Sequence, residues 1–265
     1  MVDLKSGKLA EISKNWKTIH SINGHFSPDG RHIVFMGSQK GEKDWDIFIT
    51  TFDGIRWAEP VNLTGLNGKR DEDPKFSPDG ASIIFKSDGV LTQIDLSGKV
   101  ISTYSVGDGE ASMPYFMPNG TDILFENSKE IKMISKGAVR KIWGGTGLSA
   151  YYPIAISSNA FYFTQTQSNK TDRVMLSDLS GKATPLFFDS VVWDSSDPFP
   201  FEDGLRYLFY VTTNRETGFG GYDVAVADLK LKRTWNLYTL NRRINTSMEE
   251  LGPAWSSTAH YPKTV

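Results

Sequence analysis

One motif recurs through this chain at a spacing that leaves few folds open. It is clearest as "NGHFSPDGRHIVFMG" at 23–37 and "DPKFSPDGASIIFKS" at 73–87. It returns as "MPYFMPNGTDILFEN" at 113–127, in weaker form as "YPIAISSNAFYFTQ" at 152–165, and as "DPFPFEDGLRYLFYV" at 197–211. A last copy reads "GPAWSSTAHYPK" at 252–263. Aligned on Gly24, Pro74, Pro114, Pro153, Pro198 and Pro253, the copies step by 50, 40, 39, 45 and 55 residues. Self-similarity at this period is the mark of a four-stranded propeller blade.

Each unit reads as four strands. The first enters an "SPDG" turn, where Pro presets φ and Asp-Gly supplies a tight reversal. The second is a dense β-branched or aromatic run, such as "HIVF", "SIIF", "DILF" and "FYF". The third is the "DIFITTFDG", "TQIDLSGK", "VMLSDLSGK" or "YDVAVADL" element, and the fourth is short. The N-terminus fits the same scheme, because "VDLKSG" matches the closing clauses "IDLSGK" at 94–99 and "SDLSGK" at 177–182. It therefore reads as a third strand, with "KLAEIS" as a fourth. The C-terminal copy reads as a first strand with a weak second, in which Pro262 is misplaced, as a chain shortened at that end would be.

The expected fold is all-β, a single six-bladed β-propeller over 1–265. Its blades lie near 21–66, 70–107, 110–144, 149–189 and 194–240, with a composite blade of 249–265 plus 1–15. N-terminal outer strands pairing with C-terminal inner strands would close the ring and remove its exposed edges.

The repeats "FSPDGRHIVF" and "FSPDGASIIF", each followed by a "DIF" or "QIDL" strand ending in Asp-Gly or Ser-Gly, resemble the TolB-like propeller repeat. The likeness covers nearly the whole chain, without the N-terminal α/β domain that TolB carries. It implies a scaffold for protein partners, a glycan-binding module or a polysaccharide-degrading enzyme, since one fold hosts all three. It also implies a periplasmic or extracellular location after removal of a leader. "MVDLKSGK" has no apolar stretch behind its charges, so no leader is read here and the cytoplasm is the alternative.

Composition removes several classes. A net charge of −2 lacks the basic surface that phosphate backbones require, so no nucleic-acid partner is expected. No run is long and apolar enough to span a bilayer. The absence of cysteine excludes disulfides and thiolate metal sites. A closed ring has no edge strand demanding a partner, so a monomer is expected.

The loops that lead into the inner strands converge on one face. Four residues before the aligned positions stand His20, Arg70, Glu110, Ser149, Asp194 and Glu249, and immediately before them stand Asn23, Asp73, Met113, Tyr152, Asp197 and Gly252. Asp71, Glu72, Asp73, Glu110, Asp194, Asp197, Glu249 and Glu250 would form an acidic mouth. Such carboxylates could hold calcium. Taken in pairs, Asp73, Glu110, Asp194, Asp197 and Glu249 could serve glycoside cleavage. Polar loop residues that cap turns are the commoner outcome. Long second-to-third-strand loops at 37–46, 166–173 and 212–223 add Trp45, Phe219 and Tyr222, which with Tyr151, Tyr152 and Trp193 would make aromatic platforms for sugar or protein. Asp46, Asp172 and Asp223 recur at one repeat position and read as ties between loop and strand.

Only four histidines are present, there is no Gly-x-Ser-x-Gly elbow, and "GFGG" at 218–221 lies in a hairpin with no helix after it. The expected function is therefore non-catalytic recognition of a protein or oligosaccharide at the channel mouth, with a glycosidase or polysaccharide lyase as the alternative. The binding residues would be His20, Trp45, Arg70, Asp71, Asp73, Glu110, Tyr151, Tyr152, Trp193, Asp194, Phe219, Tyr222 and Glu249.

Overall fold

The computed structural model describes residues 1–263 apart from 42–44, 66, 146, 202–204, 215 and 217, with the backbone alone of Thr239. The tip of the 37–46 loop, two positions of the 212–223 loop, the "EDG" turn of the fifth copy and the last two residues lie outside the described residues.

Five four-stranded antiparallel sheets follow one another along the chain. Blade 1 is β1 (His20–Phe26), β2 (His32–Ser38), β3 (Asp46–Thr51) and β4 (Val61–Asn62). Blade 2 is β5 (Asp71–Phe76), β6 (Ser82–Ser87), β7 (Val90–Asp95) and β8 (Val100–Tyr104). Blade 3 is β9 (Ala111–Phe116), β10 (Ile123–Asn127), β11 (Glu130–Ser135) and β12 (Ala138–Trp143). Blade 4 is β13 (Ala150–Ala155), β14 (Ala160–Thr166), β15 (Asp172–Asp178) and β16 (Ala183–Pro185). Blade 5 is β17 (Ser195–Phe201), β18 (Tyr207–Thr212), β19 (Asp223–Asp228) and β20 (Arg233–Asn236). Among the described residues no helix is long and apolar enough to cross a membrane.

The second strands are buried on both faces, those of blades 2, 3 and 4 between neighbouring sheets. Side chains alternate along a strand, so Ile83 and Phe85 pack with Val34 and Ile47 of blade 1, while Ile84 packs with Phe116 and Phe125 of blade 3. Leu124 and Met133 meet Phe161 and Phe163 between blades 3 and 4, and Tyr162 meets Leu208 and Tyr210 between blades 4 and 5.

The Ser-Pro-Asp-Gly turns close as their residue types require. Ser27 Oγ donates to Asp29 Oδ1 at 2.5 Å and accepts the His32 N–H at 2.9 Å, and Ser77, Asp79 and Ser82 repeat the arrangement.

The expected sixth blade does not form. Residues 1–19 contribute one isolated Val2–Leu9 bridge, and 237–263 contribute a single 3₁₀ turn at Leu237–Thr239. The reason is local. "VDLKSGKL" closes on itself, with Asp3 N–H donating to Lys8 O and Ser6 Oγ donating to Asp3 Oδ2. "PAWSSTAHYPK" has no dense β-branched run with which to build a second strand. The two ends instead pack as coil. Met1, Ile12 and Trp16 cover Phe35 and Phe48 of blade 1, while Leu4, Ala254 and Trp255 cover Phe199 and Phe209 of blade 5. The C-terminal stretch is then held on blade 1, where Thr258 Oγ1 donates to Pro28 O at 3.0 Å and Trp57 Nε1 donates to His260 O at 3.1 Å.

Gly30 marks the closest approach in this seam. Its φ is +68°, and a Cβ there would stand 2.2 Å from the Thr258 carbonyl carbon, whereas one at Gly137, with φ +78°, would meet nothing. Gly137→Ala should cost about 1–2 kcal/mol from left-handed strain alone. Gly30→Ala should cost clearly more, because it also lifts the C-terminal stretch from blade 1. Urea melts of both variants measure the difference, and equal costs would show that this seam contributes nothing to stability.

Candidate functional site

The site begins with a defect repeated in every inner strand. Asn23, Asp73, Met113, Tyr152 and Asp197 all have left-handed backbone, with φ between +49° and +56°. At each, the pairing register slips so that two residues oppose one on the neighbouring strand, a β-bulge. In four of the five the second residue is proline, which has no N–H to lose from the ladder. Opposite the bulges stand Phe35, Phe85, Phe125, Phe163 and Tyr210, all buried. Gly252 holds the same backbone conformation at the sixth repeat position, although no strand forms there.

These bulges turn side chains toward the axis and nearly fill it. A void of only about 10 Å³, roughly one water, lies among Asn23, Lys75, Tyr152, Asp197, Phe199 and Gly252. Asn23 Nδ2 donates to Asp73 Oδ1 at 2.8 Å, and the Gly252 N–H donates to Asp197 Oδ2 at 3.1 Å. Lys75, only 7% exposed, sits between these carboxylates. Its Nζ donates to Pro74 O at 3.3 Å and stands 5.9 Å from the Tyr152 ring centre. Burial pushes the Lys75 ammonium down and the Asp73 and Asp197 carboxyls up, against the attraction between the Lys75 and Asp73 charges. Below them His25 meets Tyr115 edge-on at 5.9 Å and Phe199 at 6.1 Å. The channel is plugged by its own lining.

The mouth above the plug divides into two arcs. On blades 2 and 3, Arg70 Nη2 lies 2.7 Å from Glu72 Oε1, and Lys86 Nζ lies 3.1 Å from both Glu72 Oε2 and Glu110 Oε2. Burial works to raise Glu72, but its bonds to Arg70 and Lys86 outweigh it and hold the carboxyl below its ordinary range. On blades 4 and 5, the Tyr151 hydroxyl donates to Asp172 Oδ2 at 2.6 Å, and the Asp172 N–H donates to Asp194 Oδ1 at 2.8 Å. Burial raises Tyr222 to about 12, helped by the charges of Asp194, Asp172, Asp197 and Glu249.

The fold thus brings Tyr151, Asp194, Tyr222 and Glu249 together on one arc and Arg70 with Glu110 on the other. Asp73 and Tyr152 lie deeper, in the channel wall. Asp71 is fully buried and turned into its blade, where Asn67 Nδ2 donates to its Oδ2 at 2.7 Å. Trp45 is buried against the core between blades 1 and 2, with His20 tilted over it at 5.8 Å, and offers no open ring face. Trp193 is half-buried in the loop entering blade 5, and Phe219 is half-exposed beside Tyr238, 4.5 Å between ring centres. Glu250 accepts from Thr246 N and Oγ1 and serves its own turn. Asp223 ties its loop to its strand through the Phe219 N–H, whereas Asp46 and Asp172 bond strand to strand, to Asn62 of β4 and Thr166 of β14. Among the described residues no three His, Asp or Glu side chains gather as a metal site would need.

Lys75 and Lys86 are the charged residues of the plug and mouth that the repeat alignment did not single out. A signal for Lys75 was available. The residue after each aligned position is His25, Lys75, Tyr115, Ile154, Phe199 and Ala254, a ring- and carbon-rich column with one ammonium in it.

His25 gives this plug a pH dependence. Burial, and then the Lys75 charge, push its imidazole from 6.5 down to about 3, and its Nδ1 accepts the Phe76 N–H at 3.2 Å. Between those values the unfolded chain binds a proton that the folded chain refuses, so acid favours unfolding. Asp73 and Asp197 work in the opposite sense as pH approaches the carboxylate range, because their raised affinity lets the folded chain take up protons first. Stability should therefore fall from pH 6.5 toward 5 by up to about 1.4 kcal/mol per unit from His25. His25→Asn should flatten that slope in denaturant melts, and an unchanged slope would show that His25 titrates freely in the folded protein.

No protein-family model and no curated protein matches the sequence. Solved structures do match the fold. TolB from Acinetobacter baumannii aligns with TM-score 0.61 and 20% identity, over 79% of this chain and 53% of that one. An oligogalacturonate lyase in complex with manganese aligns with TM-score 0.55 and 16% identity, over 80% and 63%. The β-propeller domain of the Trilobed protease from Pyrococcus furiosus, described as having an open velcro topology, aligns with TM-score 0.54 and 12% identity, over 82% and 68%. The chain spans about half the length of the TolB structure it matches. At these identities the likeness concerns the fold, which is that of the TolB-like β-propellers, built here with five blades.

Proposed function

We propose that this is a recognition propeller whose mouth face docks a protein partner. The observation that carries the reading is an exposed apolar arc on that face. Val191 and Val192 are 70% and 71% exposed, Met248 71%, Leu251 55% and Phe219 45%. They come from three loops that touch at the mouth. The Thr213 N–H donates to Asp194 O at 3.1 Å, and the Glu250 N–H donates to Tyr222 O at 2.8 Å. Grouped exposed apolar side chains with a polar border mark interaction surfaces more often than isolated ones do. The plugged channel beneath supports docking across the face rather than threading through it. TolB among the structural neighbours is consistent with this choice.

The alternative, a carbohydrate-active enzyme, draws support from the lyase neighbour but less from the carboxylates. Of Asp73, Glu110, Asp194, Asp197 and Glu249, the first four already hold bonds to Asn23, Lys86, the Asp172 N–H and the Gly252 N–H. Catalysis would need at least one of them released.

The test compares proteins captured from the source cells by the wild type and by Val192→Glu/Met248→Glu. Both side chains are exposed, so the melting temperature should hold. A protein retained by the first and at least about tenfold depleted with the second, a loss of roughly 1.4 kcal/mol, is the expected result. Identical capture profiles would move the interface elsewhere, and cleavage products from oligosaccharides incubated with the wild type would favour the enzyme.

A further inference from the structure

On the face opposite the mouth, the seam left by the missing sixth sheet opens a groove of about 450 Å³, within the ~300–1,000 Å³ of small-ligand clefts. The strand order places it. The loop between β3 and β4 lies at the far end of the strands from the mouth, and it supplies Arg56, Trp57 and Glu59. The N-terminal segment supplies Glu11, Lys14 and Trp16.

The aromatic part is rigid. Trp16 stacks on Phe35 at 5.2 Å with an interplanar angle of 11°, and Phe35 stacks in turn on Phe48 at 5.7 Å. Trp57 is 4% exposed, with its Nε1 proton already given to His260 O. Its edge can therefore serve as apolar floor without a polar atom left unpaired. The charged part is balanced, two carboxylates against an ammonium and a guanidinium. Arg56 is held only loosely, with Nε 3.7 Å from Asp53 Oδ2 and most of its side chain exposed.

We propose that this groove binds a neutral pyranose unit of an oligosaccharide. A sugar ring presents a carbon–hydrogen face that packs on indole and a rim of hydroxyls that both donate and accept. Glu11 and Glu59 accept, while Lys14 and Arg56 donate. The cancelled charge gives no field to select an anion or a cation. A purely apolar ligand would desolvate these charged groups and offer them no hydrogen bond in return. The site is separate from the mouth and does not depend on what docks there.

The test is titration of the whole protein with cellotriose, maltotriose and mannotriose, followed by tryptophan fluorescence and saturation-transfer NMR, with trigalacturonate as the charged comparison. At least one neutral trisaccharide should bind saturably and quench or enhance the indole emission. Glu11→Ala/Arg56→Ala, two exposed positions, should weaken it at least about tenfold with an unchanged melting temperature. Trp16→Phe should keep the fold and shift the fluorescence response. Val192→Glu/Met248→Glu should bind the sugar as the wild type does, so failure at the mouth and failure at the groove read out separately. No saturable binding of any neutral trisaccharide would overturn the assignment. So would an affinity unchanged in Glu11→Ala/Arg56→Ala, or a preference for trigalacturonate.

Discussion

The left-handed bulge in each inner strand is the constraint from which the rest of this structure follows. Left-handed backbone costs an ordinary residue about 1–2 kcal/mol, and the chain accepts that cost at Asn23, Asp73, Met113, Tyr152 and Asp197. What holds the strain in place is the buried aromatic ring set opposite each bulge, from Phe35 to Tyr210. The proline that follows four of them cannot join the ladder in any case. The bulge bends the strand near the axis and re-aims one side chain per blade into the channel. The plug follows from this, because Asn23, Tyr152 and Asp197, with Lys75, Phe199 and Gly252, leave space for about one water.

The same geometry explains why five blades can stand without a sixth. A second strand such as "SIIF" needs apolar cover on both faces. Blades 2, 3 and 4 have two sheet neighbours each. Blades 1 and 5 have one, and their outer faces would expose Phe35, Phe48, Phe199 and Phe209 to water. Coil from the two ends covers those rings. Apolar cover is nearly indifferent to the secondary structure that supplies it, since the hydrophobic term follows area and not hydrogen-bond pattern. A coil cover is less continuous than a sheet, however, and a groove opens between the N-terminal segment, the β3–β4 loop and Pro262.

The repeat made the architecture legible, because turn chemistry and strand composition recur together at each aligned position. The blade count misled because alignment tests likeness of position and not the capacity to form strands. Gly252 keeps the left-handed backbone of its column, while the residues after it lack the apolar run that a second strand needs. The site was legible in part for the same reason. Register along a repeat says which residues arrive at one end of the barrel axis, and Tyr151, Asp194, Tyr222 and Glu249 do arrive together. It does not say which way each points. Trp45 and Asp71 share the mouth end but turn into the blades, where rings and carboxylates find packing and amide partners. The lysines at 75 and 86 escaped notice because neither stands in the columns aligned for acidic residues, although each sits among the carboxylates those columns supplied.

The distribution of those charges separates the channel from the mouth in function. Inside the plug, desolvation works against every charged form, and Lys75 between Asp73 and Asp197 limits the penalty by mutual attraction. Such a group is a poor ligand site, because binding would have to break contacts that keep buried charges tolerable. At the mouth, Glu110 is 74% exposed, so its ion pair with Lys86 contributes little and is readily exchanged, whereas Glu72 and Lys86 are largely buried and paired with each other. A partner could displace the Lys86–Glu110 contact at small cost, and in the reading proposed above the apolar arc on blades 4 and 5 supplies the area that would drive association. The plug sets the positions of the loops, and the docking proposed above falls to the loops over it.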